Sequence, residues 1–152
     1  MTAPSISTCL WYDSQAEAAA TLYCSLFADA QITTRMPAVG DPKGGAFLVE
    51  FTLMGQSFTA MNGGPRYQLS PAASIFVLLD TQAEVDHLWD ALLDGGAASR
   101  CGWLTDRYGL SWQIIPRALP RLLQQDRSGR VLQAMMGMIK LDIAALEAAA
   151  QA

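Results

Sequence analysis

The chain has one histidine and three cysteines in 152 residues, and this poverty of metal-binding side chains is the first constraint on its chemistry. A zinc site usually assembles several imidazoles or thiolates, so a site here would have to draw on carboxylates. Cys9, Cys24 and Cys101 are odd in number and nowhere form a CxxC spacing, which argues against a disulfide framework and reads as a reduced, cytoplasmic setting. Basic residues are also few, ten against fourteen acidic ones, for a net charge of −4. They are scattered (Lys43, Arg66, Arg100, Arg107, Arg117, Arg121) rather than striped, so neither nucleic acid nor an anionic membrane is an expected partner. No apolar run reaches about eighteen residues, and Met1–Ser7 lacks the basic-then-apolar order of a signal peptide, so neither membrane insertion nor export is expected.

What the chain does have is an internal repeat. Asp13-Ser14-Gln15-Ala16-Glu17 recurs as Asp80-Thr81-Gln82-Ala83-Glu84, each copy directly after an apolar run and directly before a helical pattern. Such self-similarity comes before any other fold argument. Both copies carry the S/T-x-x-E capping box, in which the hydroxyl accepts from the third helical amide and the carboxylate reaches back to the cap. Ile6–Tyr12 and Ser74–Leu79 read as the strands before them. The helix after the first box runs to about Phe27, and Val85, Leu88, Trp89 and Leu92 form the apolar stripe of the second. Asp94-Gly95-Gly96 stops that second helix.

Strands follow each helix. Gln31–Met36 and Ala46–Leu53 flank a polar loop, Gly40-Asp41-Pro42-Lys43-Gly44-Gly45. Met54-Gly55-Gln56 turns into Ser57–Met61, which Asn62-Gly63-Gly64-Pro65 halts. In the second copy a shorter stretch, Ala98–Leu104, leads to a turn at Asp106–Gly109 and a strand Leu110–Ile115. The chain therefore reads as two βαβββ modules, about 5–65 and about 71–116, with a helical tail over 117–152. The fold class is α+β, the two pseudo-symmetric modules pairing as one open barrel within a single domain, since neither buries its sheet alone.

The stretches Leu10-Trp11-Tyr12-Asp13, Asn62-Gly63-Gly64-Pro65, Gln82-Ala83-Glu84-Val85-Asp86 and above all Cys101-Gly102-Trp103-Leu104-Thr105-Asp106-Arg107-Tyr108-Gly109-Leu110-Ser111-Trp112-Gln113 carry a resemblance. Over roughly 5–150 the sequence resembles the PhnB-like group of the vicinal oxygen chelate superfamily, often labelled 3-demethylubiquinone-9 3-methyltransferase-like. The resemblance implies a glyoxalase-like fold, a frequent homodimer and, in metal-using members, four ligand positions in the first and last strands of the modules. By the repeat's offset these become Thr8 and Ile75, with Thr59 and Gln113 four residues beyond Gly55 and Gly109. None is an imidazole, thiolate or carboxylate, so no metal and no cofactor is expected. A slip of one residue, to Ser7, Cys9, Ser74, Phe76 and their last-strand neighbours, adds only one thiol. The methyltransferase label finds no glycine-rich turn after a leading parallel strand to hold S-adenosylmethionine.

The expected partner is a small molecule in a cleft lined by Thr8, Leu10, Tyr12, Thr59, Asn62, Trp103 and Gln113. Alternation along Ala46–Leu53 sets Glu50 on the cleft side as a base or acceptor, or as a solvated carboxylate. Cys101 reads first as a small buried thiol beside Trp103, and as a nucleophile only if a cation activates it. His87 points away from its helix's apolar stripe and reads as a surface residue. An enzymatic role, metal-dependent or using Glu50 or Cys101, stands beside the binding role. A third reading is a dimeric interaction protein, with Met135, Met136, Met138 and Leu141 in the tail as the pairing surface.

Overall fold

The computed structural model describes residues 2–41 and 45–152. Pro42, Lys43 and Gly44 of the polar loop lie outside them. The chain forms two compact units, Met1–Leu69 and Ser70–Ala152. The first contains β1 (Thr8–Tyr12), α1 (Ala16–Leu26), β2 (Ala30–Pro37), β3 (Ala46–Leu53) and β4 (Gln56–Asn62). The second contains β5 (Ser74–Leu79), α2 (Gln82–Leu93), β6 (Ala97–Ala98), β7 (Trp103–Thr105) and β8 (Ser111–Pro116), followed by α3 (Ala118–Gln125), α4 (Arg130–Met136) and α5 (Ile143–Gln151). Both βαβββ modules and the helical tail read from the sequence are present.

The two sheets share one topology, β1-β4-β3-β2 and β5-β8-β7-β6. In each, the first strand lies parallel to the last, and the other neighbours are antiparallel. A parallel pair needs a long crossover, which α1 or α2 begins and the intervening strands complete. In the first unit, Leu10, Tyr12, Val49, Phe51, Phe58 and Ala60 are buried by alternation toward α1. Ala16, Ala19 and Ala20 are fully buried on that helix, and their small side chains let it approach closely. Tyr23 then reaches Tyr12 with its hydroxyl, 3.1 Å away, and its ring packs on Phe51, which stacks on Phe58 at 5.2 Å. In the second unit, fully buried Trp112 and Ile114 take the corresponding side with Val85 and Leu92 of α2.

The repeated capping box forms only once. At α2 the Thr81 hydroxyl accepts from the Glu84 amide at 3.2 Å, and the Glu84 carboxylate accepts from the Thr81 amide at 3.0 Å. At α1 the cap residue is Gln15, with no side-chain cap bond. The expected Ser14–Glu17 box is replaced from elsewhere in the unit. Asn62, at the end of β4, accepts from the Ala16 amide at 2.8 Å through its Oδ1. The Glu17 carboxylate is held instead by Arg35 of β2 at 2.6 Å. A tertiary partner has displaced the local one.

Asn62 also donates through Nδ2 to the Ala46 carbonyl at 2.8 Å. The glycines after it serve Trp11: a methyl at Gly63 would overlap the Trp11 ring, and the Gly64 carbonyl accepts from Trp11 Nε1 at 2.9 Å. In the second unit, the Asp106 carboxylate is buried and holds its own hairpin. It accepts from the Tyr108 and Leu110 amides through Oδ1 and from Trp112 Nε1 at 2.9 Å through Oδ2. The turn role read for Asp106 thus extends to fixing the largest buried ring of that unit.

Ile115, Leu119, Leu122, Val131, Leu141 and Leu146 form a core of their own, with Leu78, Met135 and Met138 packed against it. Leu141 is therefore interior, not part of a pairing surface. Of the four tail residues expected there, only Met136 is largely exposed. Ahead of α4 the Asp126 carboxylate gathers the Ser128 hydroxyl and the amides of Gly129, Val131 and Leu132.

Two predictions follow from these contacts. Thr81→Ala should cost about 1 kcal/mol in urea unfolding, Asn62→Ala about 2 kcal/mol for two lost bonds, and Ser14→Ala no more than about 0.5 kcal/mol. Equal losses at Ser14 and Thr81 would mean that both boxes form. For Asp126, partial withdrawal from water opposes ionisation, but its hydrogen bonds outweigh that and hold the carboxyl below its ordinary value. Its contribution to stability is present above the unfolded carboxylate value and is lost as pH falls through the depressed folded one. Asp126→Asn should accordingly flatten the acid limb of a stability-against-pH curve while leaving its basic limb unchanged.

Candidate functional site

Each sheet has one side covered by its helix and one side free of it, and the strand registers arrange the helix-free side in rows. In the first unit the middle row runs Cys9, Thr59, Glu50, Thr34 across β1, β4, β3 and β2. One row toward the end of β1 stand Trp11, Met61, Leu48 and Met36. On the other side are Ser57 and Thr52, with Ser7 beyond the start of β1. A cavity of about 160 Å³ opens here, lined by Ser7, Thr33, Glu50, Thr52, Ser57 and Thr59 among others.

The second unit repeats the pattern. Phe76, Gln113 and Trp103 form its middle row across β5, β8 and β7. Ser74, Ser111 and Thr105 form a hydroxyl row on one side of it, and Leu78 and Ile115 an apolar row on the other. Both units therefore order hydroxyls, a hydrogen-bonding middle and apolar side chains along their strands, the second unit's apolar row being covered by the helical tail.

Equivalent polar pairs tie the first strand to the last in each unit. Ser7 Oγ lies 2.9 Å from Thr59 Oγ1, and Gln113 Nε2 donates to Ser74 Oγ at 2.9 Å. Ser7 and Ser74 are separated by the repeat's own offset, and Thr59 and Gln113 by that of the two turn glycines. The first-strand positions are thus one residue earlier than Thr8 and Ile75. The reason is the pleat: Thr8 pairs with Phe58 on the α1 side, whereas Thr59 faces away from α1.

The donor set does not fit the divalent ion that the resemblance implies. Ser7 and Thr59 in the first unit, and Ser74 and Gln113 in the second, are neutral, and within each unit the two polar side chains bond to each other. Hydroxyls and amides lack the charge and basicity with which thiolate, imidazole or carboxylate holds zinc or iron. Among the described residues no three His, Cys, Asp or Glu side chains cluster as a metal site. A methyl-donor cofactor finds no glycine-rich turn here, because Asp13-Ser14-Gln15 and Asp80-Thr81 join β1 and β5 to their helices, where the Ala16 amide bonds to Asn62 and the Glu84 amide to Thr81.

The nine residues singled out from the sequence fall in several places. Glu50 and Thr59 share the first unit's middle row and its cavity; Trp103 and Gln113 share the second unit's middle row. Leu10 and Tyr12 are core side chains against α1, and Thr8 stands on their side of the sheet. Both ends of the Asn62 amide are engaged within the fold. Cys101 is not the buried thiol expected beside Trp103: it is half-buried, adopts φ 58°, and sets its Sγ 4.0 Å from Met136 Sδ. His87, on α2, is exposed, as its helical angle indicated. Ser111, not among those residues, stands on the Gln113 side of β8 by alternation. Its Oγ is buried and has no hydrogen-bond partner among the described residues.

Three comparisons bear on this architecture. The family model described as 3-demethylubiquinone-9 3-methyltransferase matches residues 4–115. A PhnB protein from Bacillus cereus is similar in structure at 30% identity and a TM-score of 0.69, covering 74% of this chain and 99% of its own. A protein from Pseudomonas aeruginosa is similar at 20% identity and a TM-score of 0.61, over 72% of this chain and 95% of its own; at that identity the likeness is one of fold. No curated protein matches the sequence. With both βαβββ modules present and the family match running through them, the chain belongs to the 3-demethylubiquinone-9 3-methyltransferase family.

Proposed function

We propose that this protein binds a small amphipathic molecule on the helix-free side of its sheets, without a divalent metal ion. The observation that carries the proposal is the pair of hydrogen-bonded neutral contacts, Ser7–Thr59 and Ser74–Gln113, on faces graded from hydroxyl to apolar. A hydroxyl row beside an amide flanked by two aromatic rings suits a ligand with a polar head and a short apolar body. Few polar groups fix its orientation, and the aromatic and aliphatic surface supplies most of the affinity.

Ser111 supports the same reading. A buried hydroxyl without a partner costs roughly 1–3 kcal/mol, and it stands between Ser74 and Thr105 in the row. A ligand hydroxyl, carbonyl or carboxyl would satisfy it. The side chain then lowers the stability of the free protein and is used in the bound one.

Glu50 gives a second reading, since it lines the first unit's cavity among hydroxyls. There it acts as an acceptor for a ligand hydroxyl or, in a metal-free enzyme, as a base.

The test is a titration of tryptophan emission with small alcohols, amides and carboxylates. Saturable quenching by at least one class is expected. Ser111→Ala should raise the thermal midpoint and weaken that ligand about tenfold, the equivalent of one hydrogen bond. A variant that is stabilised yet binds as tightly as the parent would remove Ser111 from the site. Emission unmoved by every class would overturn the binding role itself.

A further inference from the structure

The pleat of β3 and β4 decides what lines the first unit's cavity. Glu50 faces Thr59 across the two strands, and Thr52 faces Ser57, so one side of the pair carries a carboxylate among hydroxyls. Phe51 and Phe58, which alternate with these residues, are buried toward α1 with their rings stacked. A bulge in β2 adds a further hydroxyl: the register shifts between Ile32 and Thr34, and Thr33 Oγ1 donates to the Glu50 carbonyl at 3.2 Å. With Ser7 from ahead of β1, these residues line the space of about 160 Å³.

The half-buried Glu50 carboxylate brings a negative charge to this space that the fold does not answer. Among the described residues neither an ion pair nor a hydrogen bond reaches it; the carboxylates held by basic side chains are those of Glu17, Asp80, Asp86 and Asp94. Arg35, one residue beyond Glu50's partner Thr34, pairs with Val49 on the α1 side of the sheet, where its guanidinium meets Glu17 at 2.6 Å. Arg66 lies over the Tyr67 ring at 5.3 Å. Ser7 and Thr59 bond to each other, yet a hydroxyl oxygen has two lone pairs, so acceptor capacity remains on both.

One negative charge among hydroxyl acceptors selects a positively charged donor. A primary ammonium presents three N–H groups, which suit a carboxylate and two hydroxyl oxygens. An anion would be repelled by Glu50. A hard divalent cation takes about six to eight oxygens, normally with several carboxylates, and no cluster of three such side chains exists among the described residues. The space equals that of about five waters at ~30 Å³ each, which limits the ligand to a short stem.

We propose that the first unit's cavity is a site for a small primary amine, an amino alcohol of about two or three carbons, with Glu50 as its counter-ion and Thr52, Ser57 and Thr59 as hydroxyl partners. The cation site rests on the binding role proposed above and gives the polar head of that ligand a positive charge.

The experiment follows backbone amide shifts by NMR as the full chain is titrated with 3-amino-1-propanol, 1,3-propanediol or 3-hydroxypropanoate, three probes of similar size that differ in charge. The amine should move the amides of Glu50, Thr52 and Ser57 saturably, the diol should bind about tenfold more weakly, and the acid should leave them in place. Glu50→Gln keeps the shape of the side chain and should weaken the amine about tenfold, to the level of the diol. Glu17→Gln removes the same charge on the α1 side and should leave amine binding unchanged. Equal affinity for amine and diol, undiminished amine binding in Glu50→Gln, or equal weakening in both variants would overturn the cation site. Saturable binding of the diol in that case would leave the binding role standing. If none of the probes gives saturable shifts and tryptophan emission is unmoved by every class, the binding role fails, and the cation site with it.

Discussion

The side-by-side parallel pairing of first and last strands is the constraint from which the site follows. It places β1 against β4 and β5 against β8, so that residues far apart in sequence stand in one row on one face. Alternation then decides what each face carries. Apolar side chains turn toward the helix, and the opposite side keeps the polar pairs Ser7–Thr59 and Ser74–Gln113. A slip of one residue in either pairing would exchange the two faces. The buried rings of Tyr12 and Phe58 in one unit and Trp112 in the other oppose such a slip, because it would turn rings into water and hydroxyls into the core.

Much of this was legible in the sequence because it rests on local pattern. The two strand-helix joints, the hairpins at Gly55 and Gly109 and the helical tail all carry their own turn or capping residues. The side assignments of Val49, Phe51 and Glu50, and of Trp112 and Gln113, follow from the period of two. What misled was a local signal with a stronger distant competitor. Ser14 and Glu17 match the capping box as well as Thr81 and Glu84 do, yet Asn62 and Arg35 reach α1 first. No inspection of residues 13–17 alone contains that information.

The side of the sheet on which Thr8 stands is hidden in the sequence for a related reason. The repeat fixes the offset between the modules but not the absolute phase of either strand. Phase is set by contact with the helix, and Tyr12, whose hydroxyl meets that of Tyr23, is the residue that sets it. Once Tyr12 is assigned to the core, Thr8 and Leu10 follow it, and Ser7, Cys9 and Trp11 take the other side. The packing of the tail is likewise hidden, because the hydrophobic period of its helices marks Leu141 as apolar without saying that it packs with Ile115.

The proposed metal-free binding rests on the neutral, hydrogen-bonded pairs Ser7–Thr59 and Ser74–Gln113, which lack the charge to hold a divalent ion. Isothermal calorimetry of tag-free protein with zinc, manganese and iron(II) tests it most directly. No stoichiometric binding of any of the three is expected, and no change in that result when Thr59 and Gln113 are both replaced by alanine. Uptake of one ion per chain, abolished by those replacements, would contradict it.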